Sequence, residues 1–162
     1  MLTTKSLIDK FGNPFDDSET FIKEWMIIWD IPQAINDAIP ALPNKLYTNK
    51  LMPKLLETAF NGLISKGLHK EIKTFDGCFN IRRMRGSNNY SRHSWGMAID
   101  MNAFENPFKK VPPGERADYR KKYVKWTEQF LQVWRDSGFS CGADWNTVMD
   151  GMHFEPNTIS ND

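Results

Sequence analysis

Between residues 49 and 66, apolar side chains return every three or four positions, at Leu51, Leu55, Leu56, Ala59, Phe60, Leu63 and Ile64. That recurrence predicts a helix with one buried face. Asn49 can cap its first amides, and Gly67 suits the left-handed residue that stops it. Residues 115–137 predict a second long helix, with Tyr119, Tyr123, Trp126, Phe130, Val133 and Trp134 as a core-facing stripe and Gly138 as its end. A third, amphipathic helix is predicted over 17–30, where Phe21, Trp25 and Ile28 follow the capping residues Asp17 and Ser18. Pro32, Pro40 and Pro43 then predict a loop that wraps the core. Residues 73–85 and 94–102 are short, Gly-punctuated segments, and 151–156 alternates Met152 and Phe154 with His153 and Glu155. These read as strands, so the expected class is α+β.

The 162 residues suffice for one domain with a real core and no disulfides. A net charge of +1 gives no field to hold nucleic acid, and the clusters Lys109-Lys110 and Arg120-Lys121-Lys122 read as solvated surface. The first ten residues carry no signal-peptide core, and nowhere do about 18 apolar residues run together. No membrane insertion is expected, and synthesis as a cytoplasmic protein is. Cys78 and Cys141 lack a close pairing and read as small buried hydrophobes.

The chemistry concentrates around two of the three histidines. His93 opens the run His93-Ser94-Trp95-Gly96-Met97-Ala98-Ile99-Asp100, and His153 closes Asp150-Gly151-Met152-His153. His69 reads as a surface residue beyond a helix end. Catalytic zinc takes about three His or carboxylate ligands and leaves roughly one position open, and His93, Asp100 and His153 supply such a set with Asp150 left over as a base. In a strand of period two, His153 and Glu155 share one face while Met152 and Phe154 face the core. His93 and Asp100, seven apart, would share a face in one helix but oppose each other in one strand, so the strand reading needs a turn near 94–96 for them to converge. Two hydrogen-bonded histidines without a metal, or a Cys2His2 zinc using Cys78, Cys141, His93 and His153, are the alternatives at this point.

Ser91-x-His93-x-x-Gly96-x-Ala98-x-Asp100 followed by Asp150-x-x-His153 resembles the paired motif of the M15 zinc peptidases. That family includes the VanY- and VanX-type D-alanyl-D-alanine carboxypeptidases and the L-alanyl-D-glutamate endopeptidases of phage endolysins. Gly77-Cys78-Phe79-Asn80-Ile81-Arg82, Arg85-Gly86-Ser87, Ala98-Ile99-Asp100-Met101-Asn102 and Gly138-Phe139 are similar to its phage and prophage branch, so the likeness covers roughly 35–157. It implies a Hedgehog/DD-peptidase-like fold, a small antiparallel sheet that carries the zinc site and packs against helices. Residues 1–34 would be a helical extension packed on that domain.

The same resemblance implies one Zn2+ per chain on His93, Asp100 and His153, with Asp150 as catalytic acid or base. It also implies an arginine on the substrate carbonyl, Arg82 first, with Arg83 and Arg85 as neighbours that could serve. Ser91 would support the ligands or simply form the turn; Glu155 would orient His153 or be a surface carboxylate. Aspartate rather than glutamate at 150 points to the endopeptidases, with carboxypeptidase and a catalytically silent zinc domain that binds wall peptides or a partner as alternatives. The implied partner is the stem peptide of bacterial peptidoglycan, met by a monomer after release through a permeabilised membrane.

Overall fold

The apolar face predicted over 49–66 finds its partner across the core. Helix α4 (Met52–Ser65) buries Met52, Leu56, Ala59, Phe60 and Leu63. Against it lies α6 (Glu128–Asp136), which buries Phe130, Leu131, Val133 and Trp134, and the rings of Phe60 and Trp134 meet edge to face at 5.7 Å. The computed structural model describes residues 2–159. Among them are six α-helices and eight short strands, an α+β arrangement with small antiparallel sheets. No helix among the described residues is long and apolar enough to cross a membrane.

The central sheet has four antiparallel strands in the order β3 (Phe75–Gly77), β4 (Ile99–Met101), β8 (His153–Pro156) and β6 (Phe139–Cys141). Its back face presents Ile99, Met101, Phe139, Cys141 and Phe154 to the core. Phe154 is sealed by Trp134 (4.7 Å) and Phe130 (6.2 Å), so truncating it to alanine costs about 3–5 kcal/mol. Asp100 and His153 are direct cross-strand partners, as are Ile99 and Phe154. Opposed residues of neighbouring strands point to one face, so this register alone puts two of the candidate ligands side by side.

Two sequence expectations about helices are corrected. The helix expected over 17–30 ends early: α2 (Ser18–Trp25) gives way to β1 (Met26–Asp30), which pairs with β2 (Lys45–Asn49) in a separate ribbon. Ile27, Ile28 and Trp29 are β-branched or aromatic, and strand pairing outweighs the helical recurrence there. The helix expected over 115–137 is two, α5 (Arg116–Tyr123) and α6. Lys125 donates its amide to Asn106 Oδ1, Trp126 turns inward to donate Nε1–H to the Gly151 carbonyl (2.7 Å), and Thr127 caps α6. A continuous helix could satisfy none of these three. Because α5 buries no residue, Tyr119 and Tyr123 lie outside the core stripe.

The N-terminal stretch is not wholly helical either, since β1 lies within it. Its first helix, α1 (Thr4–Phe11), opens with a capping box between Thr3 and Ser6. The proline-bounded loop contains a short helix, α3 (Gln33–Ala38). Asn49 ends β2 instead of capping α4, while Gly67 takes the expected left-handed conformation (φ 69°). A second small ribbon joins β5 (Phe108–Lys110) to β7 (Val148–Asp150) and sets Asp150 opposite Phe108.

Candidate metal centre

Asp100 lies on a strand, and the turn that the strand reading needs near residues 94–96 is present. His93 sits on a short 3-10 turn, Arg92–Trp95, closed by Gly96 at φ 62°. A β-carbon at Gly96 would come within 2.8 Å of the Asn49 amide nitrogen, so glycine is needed for both space and conformation. Thr48 Oγ1 and the Asn49 amide donate to the Gly96 carbonyl, and Asn49 Nδ2 donates to that of Trp95. These bonds fix the turn against β2, and His93 is delivered beside Asp100 and His153.

The three side chains form a nearly equilateral triangle. His93 Nε2 lies 3.2 Å from His153 Nδ1 and 3.2 Å from Asp100 Oδ1, and His153 Nδ1 lies 3.3 Å from the same oxygen. Tetrahedral ligands about 2.0–2.1 Å from a zinc ion stand about 3.3–3.4 Å apart, so the set fits. Donor chemistry agrees. His93 Nδ1 is 2.6 Å from the Cys78 carbonyl and His153 Nε2 is 2.8 Å from Glu155 Oε2. When those two nitrogens carry the hydrogens, Nε2 of His93 and Nδ1 of His153 present bare lone pairs to a carboxylate oxygen. Three converging electron pairs repel unless a cation sits among them.

Without that cation, protons take its place. Burial lowers the proton affinity of His153, but Asp100 and Glu155 at its two nitrogens raise it more, to about 10. Asp100 shows the complementary effect: burial pushes it up, and His153 and His93 bring it well below the usual carboxylate range. Proton and metal compete for the same ring nitrogen.

Asp150 stands apart from the triangle. Among the described residues the grouping of possible ligand atoms contains His93, Asp100 and His153, and neither Asp150 nor a cysteine. Burial raises the Asp150 pKa, with Asp100 adding to the rise and the charges of His153, His93 and Arg85 opposing it. Its Oδ1 is buried without a hydrogen-bond partner. The backbone here admits no side chain from Gly142, whose β-carbon would fall 2.3 Å from the Asp150 carbonyl oxygen.

The three arginines have different surroundings. Ser94 Oγ donates to the Arg82 carbonyl and accepts its amide, holding that residue's backbone beside His93, while the Arg82 guanidinium turns back to the Arg83 carbonyl. Arg83 donates to the Asn88 carbonyl and stacks over Tyr90 (5.1 Å). Arg85 is exposed near the tip of the same excursion, and its charge acts on Asp150. Ser91 has a buried turn role, its carbonyl accepting the Ser94 amide.

Glu155 corrects the surface reading: it is buried against His153, because β8 lies inside the sheet. Sequence reasoning passed over Arg92, Ser94 and Asn49. Their signal was slight, a polar residue on each side of His93 and an asparagine that served equally well as a helix cap. Cys78 and Cys141 are both buried and free, and burial pushes each thiol up to about 12, as suits small core residues.

Comparison with known families matches residues 85–156 to a peptidase M15 model described as D-alanyl-D-alanine carboxypeptidase. That span carries all three corners of the triangle and Asp150. Over residues 85–156 the chain is similar to the M15 peptidases. The match is shorter than the likeness read from the sequence and leaves α1 to α4 outside the M15 span. No curated protein and no solved structure matches the chain.

Proposed function

We propose that this protein is a zinc-dependent peptidase of peptidoglycan stem peptides and that it cleaves within the peptide, between L-alanine and D-glutamate. The observation that carries the metal is the triangle of His93 Nε2, Asp100 Oδ1 and His153 Nδ1, whose 3.2–3.3 Å edges and bare lone pairs suit a tetrahedral cation. Zinc held by these atoms supplies Lewis acidity, lowering the pKa of water towards about 7 and polarising a carbonyl.

The remaining work falls to the chain's own side chains. Asp150, with an oxygen that bonds to no protein group, accepts the proton of the attacking water and returns it to the leaving amine. Burial raises its basicity, which helps it take that proton. Arg82, whose backbone is clamped beside His93, stabilises the negative charge that develops on the scissile carbonyl oxygen, with Arg83 and Arg85 on the same excursion as the neighbours that could serve. Glu155 holds the hydrogen of His153 Nε2 and so keeps Nδ1 free.

Aspartate at position 150, by its resemblance to the endolysin enzymes, supports internal cleavage. The description of the matched family favours a second reading, removal of terminal D-alanine by the same residues. Mass spectrometry of peptidoglycan digested by the zinc-loaded protein separates them. New L-alanine carboxyl ends are expected; free D-alanine alone would establish the carboxypeptidase, and no product from several wall types would leave a wall-peptide-binding domain. In the same assay Arg82→Ala should lose about 100- to 1000-fold in rate, as removal of an oxyanion donor does, and Arg85→Ala less.

A further inference from the structure

Arg92 lies outside the triangle and outside the chemistry just described, yet its guanidinium is half-buried between the metal centre and the N-terminal helix. One terminal nitrogen donates to Thr4 Oγ1 (3.0 Å) and the other to the Leu2 carbonyl (2.9 Å). Its Nε makes no hydrogen bond and stands 3.7 Å from Glu155 Oε1, a contact of charge. The other oxygen of Glu155 is 2.8 Å from His153 Nε2. An unbroken series therefore runs from α1 through Arg92 and Glu155 to the lone pair of His153, and its first members lie outside the M15 span.

We infer that Arg92 and the N-terminal segment position the ligand His153 through Glu155 and thereby set how tightly this protein holds its metal. A buried carboxylate without a counter-charge would be drawn towards water or towards the nearest cation. Arg92 supplies that counter-charge from the side away from the triangle, so Glu155 stays on His153 Nε2 and does not swing in as a fourth ligand. The two hydrogen bonds to Thr4 and Leu2 fix where the guanidinium can stand. The M15 span supplies the ligands, and α1 supplies the strut behind one of them.

This rests on His93, Asp100 and His153 being the metal ligands, and the test separates the two claims. Zinc affinity is measured by competition with a chromophoric chelator, alongside the visible spectrum of the cobalt-loaded protein and the melting temperature of the metal-free protein. Arg92→Leu and Glu155→Gln should each weaken zinc by about 10- to 100-fold, as loss of a group that orients a ligand does. Their double variant should be little worse than the weaker single one, because both interrupt one series. Thr4→Val, at the far end, should give a smaller loss in the same direction with an unchanged fold, and Arg92→Lys should recover part of the affinity lost in Arg92→Leu.

Altered cobalt bands in folded Arg92→Leu would mark a changed ligand geometry, which lowered stability alone does not produce. Zinc affinity within twofold of wild type in folded Arg92→Leu and Thr4→Val, or strict additivity of Arg92→Leu with Glu155→Gln, would overturn the inference and leave the peptidase reading intact. Failure of the wild-type protein to bind zinc would overturn both. Tight zinc without peptide cleavage would remove only the peptidase reading.

Discussion

The charged groups around α6 and those beneath β8 are similar in number but not in balance. On the α6 side, Arg120 and Arg135 meet Glu128 and Asp144, two positive against two negative. Arg135 grips Asp144 with two bonds of 2.8 Å, and Arg120 reaches both acids at 2.9 and 3.1 Å. Around His153, one arginine, Arg92, stands against Asp100 and Glu155, and the facing atoms are acceptors. The first cluster is complete and partly open to water; the second is buried and one positive charge short. A cluster that closes on itself holds structure together, whereas one that leaves electron pairs converging asks for a ligand.

Removing a corner of the triangle should test that contrast hardest. Asp100→Ala should abolish both bound zinc, measured as metal per chain after dialysis, and peptide cleavage, because two imidazoles cannot retain the ion alone. Retention of one zinc per chain would place the metal elsewhere. Asp150→Asn keeps the shape and removes the base, so zinc content should stay at one per chain while turnover falls by about 100- to 10,000-fold, read from initial rates on wall peptide.

The smallest effect belongs to the balanced cluster. Burial pushes the Asp144 carboxyl up, but the hydrogen bond and charge of Arg135, with the charge of Arg120, bring it below its ordinary 3.8. A carboxyl lowered on folding contributes stability above the unfolded value and loses it as pH falls through the folded one. Asp144→Asn should therefore lower stability at pH 7 by about 1 kcal/mol or less, as for partly exposed pairs, and the difference from wild type should close below about pH 4. Thermal melts of both proteins across pH 3–7 measure it. Zinc binding by this variant should be unchanged.

The triangle was legible before the fold because two of the chain's three histidines each stand near an aspartate in sequence, and in the strand reading their spacing needs a turn that Gly96 could supply. α4 was legible because its apolar recurrence matches what it buries, although it starts two residues later than a cap at Asn49 implies. The break between α5 and α6 was hidden because the aromatic recurrence continues straight through it; what ends the helix is Asn106 and Gly151, residues distant in sequence. Strands of three residues such as β5, β6 and β7 are too short to show alternation. Arg92 was invisible as a strut because its partners, Leu2 and Thr4, lie 90 and 88 residues away.

The pairing of Asp100 with His153 across β4 and β8 carries a consequence for assembly. A slip of one residue in that pairing would replace the imidazole with a methionine or phenylalanine side chain and would turn Phe154 from the core to the polar face. Only one alignment of the sheet can therefore chelate. Any metal that binds adds its free energy to that alignment and to no neighbouring one. In this sense the ion would proofread the sheet, and the fraction of chains able to take up zinc would count those whose strands have zipped in register.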